Sequence, residues 1–381
     1  MFEKRRCRMN VILVVLVVLC IVGYIFKLNS LTPSYYKVIR NVKLFELRSG
    51  ISEDEHDDLL WLPSDNFNAS HYIHSDNNSM IHEPKLQKDA FALSYPKTQI
   101  LIVCHSAPSN FVRRDTIRET WGAKLDALPM SLVFLIGKTR DMEVQKKIDF
   151  ESLMYKDILQ EDFLDSYRTL SIKSVFMLKY LNYLVDDLRF PVRFVLKLDD
   201  DSYLNPLALF KFTSVASIHP MTIFGKALGP GSPVHRPGEI DEAKWTVPKY
   251  VYKEDIFPNA ASGSGYLFDV EAGMCLYRKS LEVPLINLED IFLTGLLRHK
   301  CGIHLRNNSK FHFLGLNVCQ IRKTDILIHR VKKPAHMYLI HEILNGVSKC
   351  EAKEKGFQED NISDATADAD EKSDVLMSFK I

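Results

Sequence analysis

The chain of 381 residues has almost no net charge: 49 Lys and Arg stand against 48 Asp and Glu, for a formal +1. A balance this close gives no reason to expect nucleic acid or an anionic surface as partner. No internal repeat runs along the chain, and no G-x-G-x-x-G follows its first predicted strand. The glycine-rich stretch Ser262-Gly263-Ser264-Gly265-Tyr266 has the wrong place and spacing for a dinucleotide fingerprint. Its glycines suit a backbone that passes close to a ligand or a tight turn. The lack of a second metal cluster, together with the membrane anchor described below, disfavours a secreted phosphate-handling hydrolase. Hydrophobic content of 46% and charged content of 25% are ordinary for a globular protein.

The N-terminus also lacks something. Lys4, Arg5, Arg6 and Arg8 precede an apolar run from Val11 to Phe26, and no small-x-small cleavage site follows it. The run therefore reads as an uncleaved signal anchor rather than a cleaved signal peptide. Its length of roughly 24 Å suits a thin early secretory membrane. Residues 1–10 are the expected cytoplasmic tail, 11–26 the transmembrane anchor and 27–96 a stem. Residues 97–350 form the expected luminal body and 351–381 a disordered tail. Sequons at Asn68, Asn77, Asn307 and Asn361 agree with a luminal body. Cys104, Cys275, Cys301, Cys319 and Cys350 are then luminal, an odd number, so at least one thiol is free or pairs between chains.

The body alternates strand and helix patterns. Strands are predicted at Ile100–Cys104, Leu132–Ile136 and Phe194–Leu198; helices at Arg113–Trp121, Met142–Tyr155, Leu170–Leu184 and from Pro206. This alternation argues an α/β domain, a mostly parallel sheet with helices on both faces.

The most informative stretch is Phe194-Val195-Leu196-Lys197-Leu198-Asp199-Asp200-Asp201, a buried-strand pattern ending in three carboxylates. Adjacent carboxylates repel one another and call for a positive partner. Hard oxygen ligands at a strand end suit Mg²⁺ or Mn²⁺ bridging to substrate phosphates. Asp199 and Asp201 share one side-chain parity and Asp200 has the other. The plain alternative is a solvated acidic turn. Arg114 and Arg118 lie one helical turn apart and could hold a diphosphate, or pair with Asp115 and Glu119 on the surface. Glu289-Asp290 opens the amphipathic segment Ile291–Leu297, as a cap or as a general base. The short strand Ile326-Leu327-Ile328-His329 ends in a histidine that gains interest only beside an oxygen-ligated metal.

Taken in order, Arg113–Gly122, Phe194–Asp201, Ser262–Phe268, Glu289–Gly295 and Ile326–His329 resemble the β-1,3-galactosyltransferase family, glycosyltransferase family 31. The resemblance covers about residues 97–350. It implies a GT-A fold behind a single N-terminal transmembrane helix, type II in the Golgi membrane. It implies a UDP-sugar donor, Mn²⁺, and a glycan acceptor on glycolipid or glycoprotein. By the same resemblance Asp201 and His329 hold the metal and Asp199 and Asp200 lie nearer the nucleotide. Arg114 and Arg118 fall near the donor pocket, and Asp290 is the catalytic base. The expected reaction is inverting β-1,3 transfer of galactose, with N-acetylglucosamine or N-acetylgalactosamine as alternative sugars. A catalytically silent glycan-binding member of the fold is the alternative of another class. Ser264 and the segment Lys253–Asn259 depart from the family pattern near the sugar pocket.

The topology is directly testable. Full-length protein recovered from secretory cells is expected to lose mass on N-glycosidase treatment and to resist protease added from the cytosolic side. No mass shift together with cleavage by that protease would refute the luminal assignment.

Overall fold

The strands and helices expected from periodicity are present, with further elements between them. The computed structural model describes residues 61–73, 79–86 and 100–348, apart from 216–217, 230 and 241–242. The predicted anchor, most of the stem and the C-terminal tail lie outside the described residues. No helix among the described residues is long and apolar enough to cross a membrane.

In chain order, β1 (Met80–His82) precedes β2 (Ile100–His105), α1 (Phe111–Glu119), β3 (Met130–Lys138), α2 (Met142–Tyr155) and β4 (Ile158–Leu164). Next come α3 (Leu170–Asn182), β5 (Phe194–Asp199), β6 (Tyr203–Leu204), α4 (Pro206–Val215) and β7 (Thr222–Ala227). After an irregular excursion the chain forms β8 (Ala261–Asp269) and α5 (Val270–Ser280). A π-helical stretch, Ile291–Leu297, leads into α6 (Arg298–Cys301), followed by β9 (His304–Asn307), β10 (Phe311–His312), β11 (Leu327–Ile328) and α7 (Pro334–Asn345).

Local chemistry sets several ends. The Asp141 carboxylate accepts the Glu143 and Val144 amides and starts α2, which stops at Lys156 in the left-handed region. Asp269 caps α5 through the Ala272 amide, and its other oxygen accepts the Thr222 amide, tying β7 to β8. Pro334 opens α7 and Gly346, at φ 74°, closes it.

The main sheet runs β1-β4-β3-β2-β5-β8-β7-β9. Strands β4, β3, β2 and β5 are parallel, as expected for strands linked through helices. The sheet as a whole is mixed rather than mostly parallel. Strand β8 is antiparallel to β5 and to β7, and β1 is antiparallel to β4. The physical reason lies in the connection: the described residues of 228–260, between β7 and β8, hold no α-helix to carry a crossover, and the chain returns reversed. Ser262–Phe268 is thus a central strand and not a loop.

Both faces of the sheet are covered. Leu101, Val103 and Val195 pack with Val175, Phe176, Leu178 and Leu181 of α3. Ile100, Ile102, Leu196 and Leu198 pack on the other side with Ile117 of α1 and with Met337 and Ile340 of α7. Burial on both faces explains why β2 and β5 read as near-continuous apolar runs. A second, three-stranded sheet, β10-β11-β6, sits at the end of β5. Gly265 admits this crossing: a Cβ there would lie 2.3 Å from a Leu327 methyl and 3.1 Å from the Lys197 carbonyl.

Cys275 on α5 is disulfide-bonded to Cys301 on α6, 26 residues away, and Cys319 is disulfide-bonded as well. Cys104 is free and buried, and burial raises its pKa. Removing the first bridge in a Cys275→Ala/Cys301→Ala double variant should lower the unfolding free energy by about 2–4 kcal/mol, read by denaturant titration. A midpoint unchanged from wild type would show that α5 and α6 hold without it.

Candidate active site

The three aspartates leave β5 in two directions, as strand parity requires. Asp200 is 5% exposed and turns inward. It accepts hydrogen bonds from Ser106 Oγ (2.7 Å), Asn110 Nδ2 (2.8 Å) and Arg113 Nη1 (2.8 Å). It therefore clamps the β2–α1 connection. These bonds engage both oxygens of Asp200, the residue expected nearer the nucleotide.

Asp199 and Asp201 point the other way. The antiparallel pairing of β6 with β11 sets Leu204 against Leu327 and Tyr203 against Ile328. It brings His329 to Asp201 across roughly 130 residues of sequence, with Nε2 3.2 Å from Asp201 Oδ1. The His329 Nδ1–H donates to the Phe313 carbonyl at 2.7 Å, leaving Nε2 turned toward the carboxylates. Burial lowers the His329 pKa, but the hydrogen bond and charge of Asp201 outweigh it and the net shift is upward. Burial raises the Asp201 pKa, and His329 and Arg113 reverse that to a net lowering.

Ligand atoms of Asp199, Asp201 and His329 lie within 4.8 Å of one another. Asp201 Oδ1 is buried, and His329 Nε2 at 3.2 Å is the polar group that faces it. The donor set, two carboxylates and one imidazole, fits a divalent ion such as Mn²⁺ or Mg²⁺.

Behind these ligands stands Lys197, one β-repeat before Asp199 and on the same face. It is 3% exposed, and its ammonium bonds Asp199 Oδ1 (2.7 Å) and the Gly263 carbonyl (2.6 Å), with Glu289 Oε2 at 3.5 Å. Burial lowers its pKa, and the Asp199 and Glu289 charges more than restore it. Glu289 does not cap the helix. It is buried, accepting Ser174 Oγ at 2.9 Å and the Tyr266 hydroxyl.

Asp290 does cap the helix: Oδ1 accepts the Ile291 amide at 2.8 Å and Oδ2 the Gly263 amide at 3.0 Å. Burial, then the adjacent Glu289 charge, push its carboxyl up to about 6. The Tyr167 hydroxyl, hydrogen-bonded by Trp245, is coupled electrostatically to Asp290 and Asp199. Burial and those two charges raise its pKa.

The two arginines expected near the donor pocket are engaged with protein groups. All five N–H groups of Arg114 are taken: by both Glu151 oxygens, Ser106 Oγ and the Ala107 and Pro108 carbonyls. Arg118 bonds both Asp157 oxygens, Asp115 and Glu151, and stacks on Tyr155 at 4.0 Å. The helix face they share turns toward α2 and fastens α1 to it. Sequence reasoning gave no role to Lys197 or Arg113. A lysine inside an apolar strand, in parity with Asp199, was the available signal for Lys197. Asn68 and Asn307 are exposed, whereas Asn77 and Asn361 lie outside the described residues.

A family model described as galactosyltransferase matches residues 112–309. Beta-1,3-galactosyltransferase 1 of Mus musculus and of Homo sapiens are each 28% identical over 254 residues, 65% of this chain and 74% of theirs. UDP-GlcNAc:betaGal beta-1,3-N-acetylglucosaminyltransferase 7 of Mus musculus is 25% identical over 272 residues, 67% of this chain and 66% of its own. A solved galactosyltransferase LgtC, in complex with donor and acceptor sugar analogs, aligns over 67% of this chain and 99% of its own. Its identity of 12% and TM-score of 0.34 are too slight a likeness to argue from.

The arginine assignment has a measurable consequence. Arg114→Ala strands the buried Glu151 charge and should lower the unfolding free energy by about 3–5 kcal/mol in denaturant titration. Stability like the wild type's with UDP binding lost would instead return Arg114 to the donor site.

Proposed function

The chain belongs to the galactosyltransferase family, and from that premise we propose an inverting β-1,3-glycosyltransferase that moves galactose from a UDP-sugar to a glycan hydroxyl. The observation that carries the reading is Asp290. Two backbone amides fix its oxygens, and its carboxyl, pushed up to about 6, is largely ionised at neutral pH yet more basic than an ordinary aspartate. Such a group can take the acceptor hydroxyl proton as that oxygen attacks the anomeric carbon.

Asp199, Asp201 and His329 would hold a divalent cation, Mn²⁺ in this reading, which would supply electrostatic stabilisation of the charge that builds on the departing UDP. Lys197 keeps Asp199 and the Gly263 carbonyl at fixed separation, so the metal side and the base side of the site are positioned together. Much of the rate gain is then positional.

Transfer of N-acetylglucosamine is the second reading, supported by the likeness to a relative that carries that activity in its name. The same reading sets the domain in the Golgi lumen behind the N-terminal anchor as a type II protein. The Cys275–Cys301 bridge and the exposed sequons at Asn68 and Asn307 support an oxidising, glycosylating compartment.

A donor screen of the purified body with Mn²⁺ over UDP-galactose, UDP-N-acetylglucosamine and UDP-N-acetylgalactosamine tests the proposal. Transfer from one of them is expected, and transfer from none would defeat it. With the productive donor, Asp290→Asn should keep UDP binding and lose roughly 10²–10⁴ in kcat. The Asp290 pKa is raised, so the base is lost as pH falls, and wild-type kcat should drop through about pH 6. Full kcat at pH 5 would assign the base elsewhere.

A further inference from the structure

His105 is the last residue of β2 and is only 4% exposed. Neither of its ring nitrogens has a hydrogen-bond partner among the described residues. Unpaired polar groups at this depth are rare in native proteins and call for a missing partner.

The position of the ring indicates what that partner is. Strand parity sets His105 on the face of Leu101 and Val103, and its register neighbour on β5 is Asp199. After β2 the chain adds β3 and β4 on one side, then returns to add β5 on the other. The order of growth reverses between β2 and β5. In open α/β sheets the crevice beyond the carboxyl ends of such a strand pair receives the nucleotide. His105 and Asp199 end these two strands side by side.

The surroundings fix the form of the ring. The Lys173 ammonium bonds the carbonyl of the neighbouring Ser106 and pairs with Asp165, and Lys197 pairs with Asp199. Burial, then the charges of Lys197 and Lys173, hold the His105 pKa well below its ordinary value. A neutral imidazole offers one donor and one acceptor. Phosphate oxygens only accept, and the carboxylate–imidazole cluster that would gather a cation for them is formed by Asp199, Asp201 and His329. Uracil and ribose each present donors and acceptors together, which matches a ring with both nitrogens unpaired.

Resting on the transferase reading above, we propose that His105 is a donor-contact residue whose imidazole hydrogen-bonds the nucleoside half of the UDP-sugar. The test is calorimetric titration of His105→Leu against wild type with UDP, uridine and inorganic pyrophosphate, in the presence of Mn²⁺. Leucine removes the unpaired polar atoms, so the melting temperature should hold or rise. Affinity for UDP and for uridine should fall by the same factor, roughly 2- to 10-fold for one lost hydrogen bond, while pyrophosphate binds unchanged. The donor KM should rise and the acceptor KM should not.

A lower melting temperature with unchanged UDP affinity would make the ring structural and overturn the proposal. Equal weakening of pyrophosphate would move the contact to the phosphates and overturn it too. Wild type that binds no UDP at all would defeat the transferase reading, and this inference with it. As a check that needs no folded variant, the ¹⁵N shifts of the His105 ring in the wild type should move when uridine is added. Shifts that stay fixed at saturating uridine count against the contact.

Discussion

A lysine ammonium inside a β-sheet loses several kcal/mol of hydration and must be surrounded by oxygen to stay charged. Lys197 meets that requirement with Asp199, the Gly263 carbonyl and Glu289, from three separate segments. The rest of the site depends on this. The pairing holds Asp199 at the end of β5, sets the backbone of β8 whose Gly263 amide orients Asp290, and draws Glu289 inward. Replacing the ammonium by an apolar group would leave the buried Glu289 carboxylate without its cation and facing the partly exposed Asp199.

The site also shows how adjacent acids acquire different work. Asp199 and Asp200 are neighbours in sequence, yet strand alternation sends one toward the crevice and the other into the β2–α1 connection. Glu289 and Asp290 are neighbours at a helix start. One is buried against Ser174 and Tyr266, and the other caps the helix and is only partly buried. In each pair one acid is taken up by the surrounding frame and its neighbour faces another way. The buried Glu289 is not passive, because its negative charge is among the causes that lift the Asp290 carboxyl toward neutrality.

Much of this was legible beforehand. The apolar run into Asp199-Asp200-Asp201, the parity of the three aspartates and the helix opening after Glu289-Asp290 all follow from local periodicity. The meeting of Asp201 with His329 came from the family resemblance, because strand pairing across such a distance leaves no trace in spacing. The partners of Arg114 and Arg118 were hidden for a related reason. A shared helical face is readable, but whether that face turns to a ligand or to Glu151 on α2 is decided by packing. The direction of β8 was likewise hidden, since nothing in Ala261–Asp269 records whether the chain reaches it by a helix or by a loop.

The pairing of β6 with β11 has a consequence in time. Chains are made from the N-terminus, and β11 is the last strand among the described residues. A chain interrupted before it would already carry Asp199, Asp201 and Asp290, each in place on its own element, but no imidazole to complete the cluster. Long-range contacts of this kind are also the slow ones to form. The cation cluster is therefore a late product of biosynthesis, and a nascent or truncated body cannot assemble it before the final strand has been threaded beside β6.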